Sequence, residues 1–556
     1  MQEILPQKLH RGDAETPSFL ETKIKKKIIL FTLRLCVSAV FFAFASCASK
    51  PTDLRTLAPA ETLVYLETKD LSKTLGAITE NTQFEGAIKK KPDLTALENV
   101  QFAVAVTGFE ATEEKITEEN SVLDFKPHFV AIVDTHAWNW QTISLTENQV
   151  NNFVKDIYGE ETSLEKSDRD GGKWFAWTSN KDDKVFAFVR ESQIFFGNDA
   201  AAIEKCLAVK RGEADNLLKN ESLSRAYAAN SENNLAFGYV SPEGITQISN
   251  LAGISVASET AEEAEGQSFI ARVLPQILRG TTREIVWTAQ TRDGKIEDKL
   301  SISLTPETTS VFKETLATRP ANQTNSAEFL YAPARSITRY DLKDPLIAWR
   351  SLLLVSAKNT DSTSGKLIIQ FSDQVLGSYG ISDAELFLSA VNSDIFTAKF
   401  DADGEKSVVI ATVKDVEKIK KSISEINFKS PPKKQSNAEI WELEDKRFAV
   451  AFVENKVIFG SRDVVSICLE AKSNGRNFTK DRQYQKFAES KAVAVTVVTR
   501  LTPVSDMVEI FGDPASENAT FLNGYITETS VTEKGIERKT VSEFGFIGSI
   551  IEQLKE

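Results

Sequence analysis

The chain is 556 residues long and acidic, with 66 lysines and arginines against 79 aspartates and glutamates, a net charge of −13 and only four cysteines. That length gives room for about two to four domains with substantial cores. The charge balance argues against a nucleic-acid partner, which needs a basic surface to neutralise phosphates, and the few cysteines exclude a small disulfide-stapled scaffold.

The first legible segment is residues 23–47, KIKKKIILFTLRLCVSAVFFAFASC. Lys23, Lys25, Lys26, Lys27 and Arg34 precede an apolar run, residues 35–44, that is short for a membrane span. This is the profile of a signal peptide. Its end, Phe44-Ala45-Ser46-Cys47, resembles the lipobox of bacterial lipoproteins. The resemblance implies that residues 1–46 are a lipoprotein-type signal peptide and that Cys47 becomes the lipidated first residue of the mature chain. Several acyl chains, at about 0.8 kcal/mol per buried methylene, would then hold the protein on a membrane. In lipoproteins of two-membrane bacteria an aspartate after that cysteine tends to retain the protein in the inner membrane. Ala48 stands there in this chain, so the resemblance implies the outer membrane, facing the periplasm.

Residues 47–56 read as a polar tether. The fold starts at 57–71, LAPAETLVYLETKDL, a strand running into a helix with Asp70 as N-cap. A charged helix over 73–91 leads to VQFAVAVT at 100–107, an apolar strand with the character of one buried on both faces. A strand at 129–133 follows, and 145–158 carries Val150, Phe153, Val154 and Ile157 at helical spacing. Residues 173–197, KWFAWTSNKDDKVFAFVRESQIFFG, are three apolar runs separated by polar turns, an antiparallel meander. Helices over 199–209 and 223–229 and a strand at 234–240 close the unit.

The same order returns downstream. FAVAFVENKVIFG at 448–460 matches VFAFVRESQIFFG at 185–197 in apolar pattern, Cys468-Leu469 echoes Cys206-Leu207, and YAPARSITRYDLKD at 331–344 lies over LAPAETLVYLETKD at 57–70 without a gap. A hairpin over 285–304 with an Asp293-Gly294 turn resembles 525–541 around Lys534-Gly535. The spacing between corresponding residues narrows along the chain, as deletions in the second copy would produce. Its largest step coincides with 258–267, SETAEEAEGQ, read as an exposed acidic insertion. The expected fold class is therefore α+β, two tandem duplicated domains over 57–318 and 327–556, joined by a linker at 319–326, each a mainly antiparallel sheet with packed helices. Cys206 and Cys468 sit in the helix-like segments and are expected in the core as small hydrophobes. This layout, a lipobox followed by APAETLVYL and repeated units ending in IFFG or VIFG, resembles an uncharacterised class of bacterial lipoproteins with a domain of unknown function. That class carries no assigned catalytic residues.

Chemistry leaves few traces. The mature part has only His128 and His136, with neither HExxH nor a cysteine pair at zinc spacing, so no metal is expected. Ser364-Gly365-Lys366 lacks the glycine-rich loop before it, and S-x-x-K at 163–166, 310–313 and 430–433 comes without its companion motifs. Asp168-Arg169-Asp170-Gly171 and Asp401-Ala402-Asp403-Gly404 read as hairpin turns rather than calcium loops. No catalytic residue and no cofactor are assigned. Aromatics stand out, with 34 phenylalanines and a gathering of Trp138, Trp140, Trp174 and Trp177. These tryptophans are either core or ligand-facing. The leading expectation is a non-enzymatic envelope lipoprotein, a binding or structural protein touching the membrane through lipid on Cys47 and partnering an envelope protein, a glycan or a lipid. The alternatives are an envelope hydrolase using paired carboxylates on polysaccharide or peptidoglycan, and a lipid or lipoprotein carrier with an aromatic-lined cavity.

Overall fold

The computed structural model describes residues 51–552 apart from 116–120, 160, 181–182, 231–233, 261–263, 317, 319–324, 332, 373–375, 377–380, 402–405, 424–425, 427, 436, 443–446, 504–507, 509–510 and 517–519. Residues 1–46, expected to be a signal peptide, Cys47 and most of 319–326, expected to be a linker, lie outside the described residues.

The chain is α+β, with strands from end to end of the sequence hydrogen-bonded into one antiparallel sheet. The first ten are β1 (Val64–Thr68), β2 (Gln101–Lys115), β3 (Ser121–Asp134), β4 (Ser163–Arg169), β5 (Gly172–Thr178), β6 (Lys184–Arg190), β7 (Gln193–Gly197), β8 (Ala236–Val240), β9 (Thr282–Arg292) and β10 (Lys295–Leu304). The next ten are β11 (Ser336–Asp341), β12 (Val391–Lys399), β13 (Ser407–Val413), β14 (Lys433–Gln435), β15 (Ala438–Glu442), β16 (Phe448–Val453), β17 (Lys456–Ser461), β18 (Ala494–Pro503), β19 (Thr520–Val531) and β20 (Gly535–Ser542). Pairing runs β4-β5-β6-β7-β3-β2-β1-β8-β9-β10 through the first half. It runs β14-β15-β16-β17-β13-β12-β11-β18-β19-β20 through the second. β10 and β20 pair with each other, from Ile296 opposite Ser542 to Ser303 opposite Gly535, and so fuse the two.

Helices cover both faces. On one face of the first half Tyr65, Phe195, Tyr239 and Val286 pack with Ile203, Cys206 and Leu207 of the helix Ala200–Lys210; on the other Phe175, Trp177, Phe196 and Trp287 pack with Leu75, Phe84 and Phe153. The second half repeats this, with Val465, Cys468 and Leu469 of the helix Arg462–Asn474 on one face and Phe387, Ile419 and Trp441 on the other. Alternation along the strands sends successive residues to opposite cores. Local chemistry starts the helices: the Asp70, Asp199 and Asp344 carboxylates accept backbone N–H bonds from Lys73, Ala201 and Leu346.

The glycines of IFFG and VIFG have a steric reason. A Cβ on Gly197 would stand 2.2 Å from the Phe129 carbonyl oxygen, and one on Gly460 would stand 2.2 Å from that of Ser407. Both glycines close the strand that lies against the neighbouring backbone of β3 or β13.

Several expectations need correction. Of the 47–56 tether, Thr52 onward is docked: the Thr52 N–H and carbonyl bond the Gln101 side-chain amide, and Leu54 and Leu57 are buried. The 73–91 helix is two, Leu71–Thr79 and Thr82–Ala87, because Asn81 caps the second. The 145–158 helix holds a wider turn at Thr146–Val150. Of the acidic 258–267 stretch, read as an exposed insertion, residues 258–260 end the helix Pro242–Thr260 and 264–267 begin the helix Ala264–Thr281, while 261–263 lie outside the described residues. β4, the polar strand before the Asp168–Gly171 turn, and β14, which the sequence reading did not assign, form the two outer edges of the sheet, and charges such as Glu165, Lys166, Lys433 and Lys434 discourage pairing with other chains.

Each half ends in a helix that crosses the seam. The helix Pro306–Thr315 places Phe312 in a cluster with Ala348, Val531 and Ile536 of the second half. The helix Gly545–Glu552 returns to the first, with the Phe546 ring edge-on to Trp287 at 5.4 Å and Ile547 in the first-half core. The connections between β8 and β9 and between β18 and β19 cross too. The Gln276 amide bonds Asp361, and Phe511 lies edge-on to Phe84 at 5.4 Å.

Candidate functional site: the groove at the seam

At the seam the sheet is left partly uncovered. β10 reads KIEDKLSISL, so Ile296, Leu300 and Ile302 point one way while Glu297, Lys299, Ser301 and Ser303 point the other. The polar side forms the floor of a groove of about 1040 Å³, together with Glu284 and Val286 of β9 and Glu537 of β20. Arg225 and Ala229 of the helix Glu221–Asn230 form one wall. Thr309 and Lys313 of Pro306–Thr315, with Glu533 and Lys534 of the β19–β20 turn, form the other. Both halves therefore build it. Arg225, Lys299, Lys313 and Lys534 face Glu284, Glu314, Glu533 and Glu537, a neutral balance. Lys299 pairs with Glu537 at 2.8 Å, Lys313 with Glu533 at 2.5 Å, and Glu284 accepts from the Ser303 hydroxyl at 3.2 Å. No aromatic side chain is among the described residues lining it.

Beside the groove, Glu297 is buried against Lys539, Arg292 and Gln290. Burial would raise its pKa, but those three donors outweigh it and hold the carboxyl below its ordinary value. Asp298, on the opposite side of β10, is under the helix Gly545–Glu552. Burial pushes its carboxyl up to about 6, although the Phe546 N–H and the Trp287 indole N–H both donate to it. Its folded pKa exceeds the unfolded value of 3.8, so the folded state holds the proton longer. Stability should therefore fall by about 3 kcal/mol as pH rises from 4 through 6, then level off. In Asp298→Asn that component of the pH dependence disappears, as urea midpoints taken across pH 4 to 7 will read.

A second buried carboxylate, Glu67, accepts hydrogen bonds from the Tyr65 hydroxyl at 2.6 Å and from the Tyr227 hydroxyl, with the Arg55 guanidinium stacked 3.4 Å over the Tyr227 ring. At the matching place of the second half, Arg339 donates to the carbonyls of Phe487, Ala488 and Ser490 and approaches Asp341 at 3.8 Å. Each cluster pins a short helix to the first strand of its half.

The tryptophans singled out by sequence are not brought together. Trp177 is fully buried, stacked on Phe175 at 5.8 Å with its indole N–H on Asn151; Trp174 lies in the opposite core beneath the Arg169 guanidinium, 4.4 Å away. Trp138 and Trp140 are on the surface at the start of the helix Asn139–Leu145. His128 lies on β3 and His136 just beyond its far end. Asp170 and Gly171, with φ of 56° and 73°, make the turn between β4 and β5. Cys206 and Cys468 are free thiols, one in each half's core, and burial pushes both up to about 12. In the folded protein they should react with a thiol reagent at pH 7 more slowly than in urea by about a hundredfold or more. Equal rates would show that the helices carrying them open readily.

The sequence reading missed the groove. The signal available was the polar alternation of β10 inside an otherwise apolar pattern, a strand with one face left for something other than core.

No protein family matches the chain, and no curated protein matches it. Among solved structures it is similar to crystal form I of TP0453, at 8% identity over 43% of this chain and 100% of that one, with a TM-score of 0.21. A likeness that slight carries no argument.

Proposed function

We propose that the protein is a non-enzymatic, lipid-anchored envelope protein of two duplicated halves that holds a polypeptide partner in the seam groove. The observation that carries this reading is the groove itself, shared by both halves and lined by hydroxyls, aliphatic side chains and a neutral set of charges. A glycan site calls for an aromatic platform, which is absent among the described lining residues, and the apolar residues of the lining, such as Val286, Ile302 and Ile536, are interspersed with four cations and four carboxylates, unlike the continuous apolar wall of an acyl-chain site. Three groove carboxylates are engaged by lysine or serine, which favours binding over acid–base chemistry. Duplication is supported by the repeated strand order, the paired helices bearing Cys206 and Cys468, and the matching glycines at 197 and 460. Anchorage rests on the residues 23–47 and Cys47, and the outer-membrane assignment on Ala48.

Photo-crosslinking residues placed at Ser301 and Thr309 in intact cells should capture one envelope polypeptide, with none captured from exposed Glu213. Lys299→Glu with Lys313→Glu should abolish the capture. Turnover of polysaccharide by the purified protein, lost in Glu284→Gln, would replace this reading with a hydrolase.

A further inference from the structure

Five of the seven tryptophans, Trp174, Trp177, Trp287, Trp349 and Trp441, are buried or half-buried, whereas Trp138 and Trp140 are 63% and 68% exposed. No other large apolar side chain among the described residues is as open to solvent. Their position in the fold gives this meaning. They follow directly from β3, whose end holds Thr52. The Thr52 hydroxyl donates to Asp134 at 2.6 Å, and the Thr52 N–H donates to the Gln101 side-chain carbonyl at 2.7 Å. His136 joins the same cluster: its backbone N–H donates to Asp134 at 3.1 Å and its ring Nε2 lies 3.1 Å from the Gln101 carbonyl oxygen. A left-handed turn at His136, φ 51°, then leads the backbone to Trp138. Two further contacts brace the loop. The Trp138 N–H donates to the Gln141 side chain at 3.0 Å, and the Asn139 side chain accepts from the Glu191 N–H at 2.9 Å.

Thr52 is thus bonded to the same Asp134 and Gln101 cluster from which the backbone, two residues beyond His136, reaches Trp138. From Cys47 to Thr52 is five residues, a reach of about 18 Å at most. If Cys47 carries acyl chains, this end of the sheet is held against the lipid surface and cannot turn away from it. An indole is the side chain best suited to that boundary, because its ring is apolar and its N–H finds water or headgroup oxygens.

We infer, resting on the lipid-anchored reading above, that Trp138 and Trp140 insert into the headgroup region of the leaflet that holds the lipid on Cys47. They fix the orientation of the body, so that the anchor and the two indoles form one membrane-contact surface at the Thr52 end of the sheet.

The test uses the full mature protein reconstituted in phosphatidylethanolamine and phosphatidylglycerol vesicles, with and without brominated acyl chains. Bromolipid should remove about a quarter of the tryptophan emission, the share of two indoles among seven. Trp138→Phe with Trp140→Phe should abolish that loss and leave the urea midpoint unchanged. Mass analysis of the N-terminal peptide reports on Cys47 independently. Lipid on Cys47 with no bromolipid quenching would overturn this inference and leave the anchor standing. Quenching that persists in the double variant would place a different face on the membrane and overturn it as well. A bare Cys47 would remove both.

Discussion

Gly197→Val should be among the most damaging single substitutions in the first half, lowering its stability by about 4 kcal/mol or leaving it unfolded. The added side chain begins with a Cβ 2.2 Å from the Phe129 carbonyl oxygen, which belongs to backbone that cannot rotate aside. Relief requires β7 and β3 to part, and those strands pair from Val130 opposite Gly197 to Asp134 opposite Gln193. Gly460→Val should act alike on β17 and β13, with the added strain of a φ of +147°. Denaturant unfolding followed by the tryptophans will distinguish the two. Gly197→Val should lose the transition carried by Trp174 and Trp177, and Gly460→Val that of Trp441. A valine tolerated at either position without a shift in midpoint would mean that the close approach of these strands is not real.

Trp177→Ala should cost about 4 kcal/mol, the ordinary penalty for emptying the place of a large aromatic side chain that cannot collapse. Its ring is wholly buried between Phe175 and Phe196, and its N–H leaves the Asn151 side chain without a partner when removed. The same change at Trp138 or Trp140 should leave the midpoint within about 0.5 kcal/mol, as surface positions do. Four tryptophans that looked alike in the sequence would then separate into two that hold the fold and two that do not.

Much of the fold was legible where it is written locally. The meander at 173–197, its counterpart at 448–460 and the aspartate cap at 70 follow from alternation, turn residues and capping over a few positions. The helices Pro242–Thr260 and Ala264–Thr281 were hidden by acidic composition at their junction, although Phe269, Val273 and Ile277 recur at helical spacing in the second. The fusion of both halves into one sheet was not legible. Nothing in Lys295–Leu304 names Gly535–Ser542 as its partner, since strand pairing is chosen by three-dimensional fit and not by a local code. The groove shares that fate, since its walls come from segments far apart in the chain. For the tryptophans the residue type was evident from sequence, but exposure depends on which strand neighbours arrive, and only the structure separates Trp174 from Trp140.

The pairing of β10 with β20 also sets a timetable. When Leu304 has emerged where the chain folds, the first half has every strand it owns, yet its last edge is bare and the helix Gly545–Glu552 that covers Trp287 has not yet arrived. At ordinary elongation rates the partner strand follows about ten to fifty seconds later. Throughout that interval a row of unpaired N–H and carbonyl groups is open to any other nascent copy, which offers the same strand. Crowding of copies while the second half is still emerging is therefore a condition under which this architecture is prone to join the wrong halves.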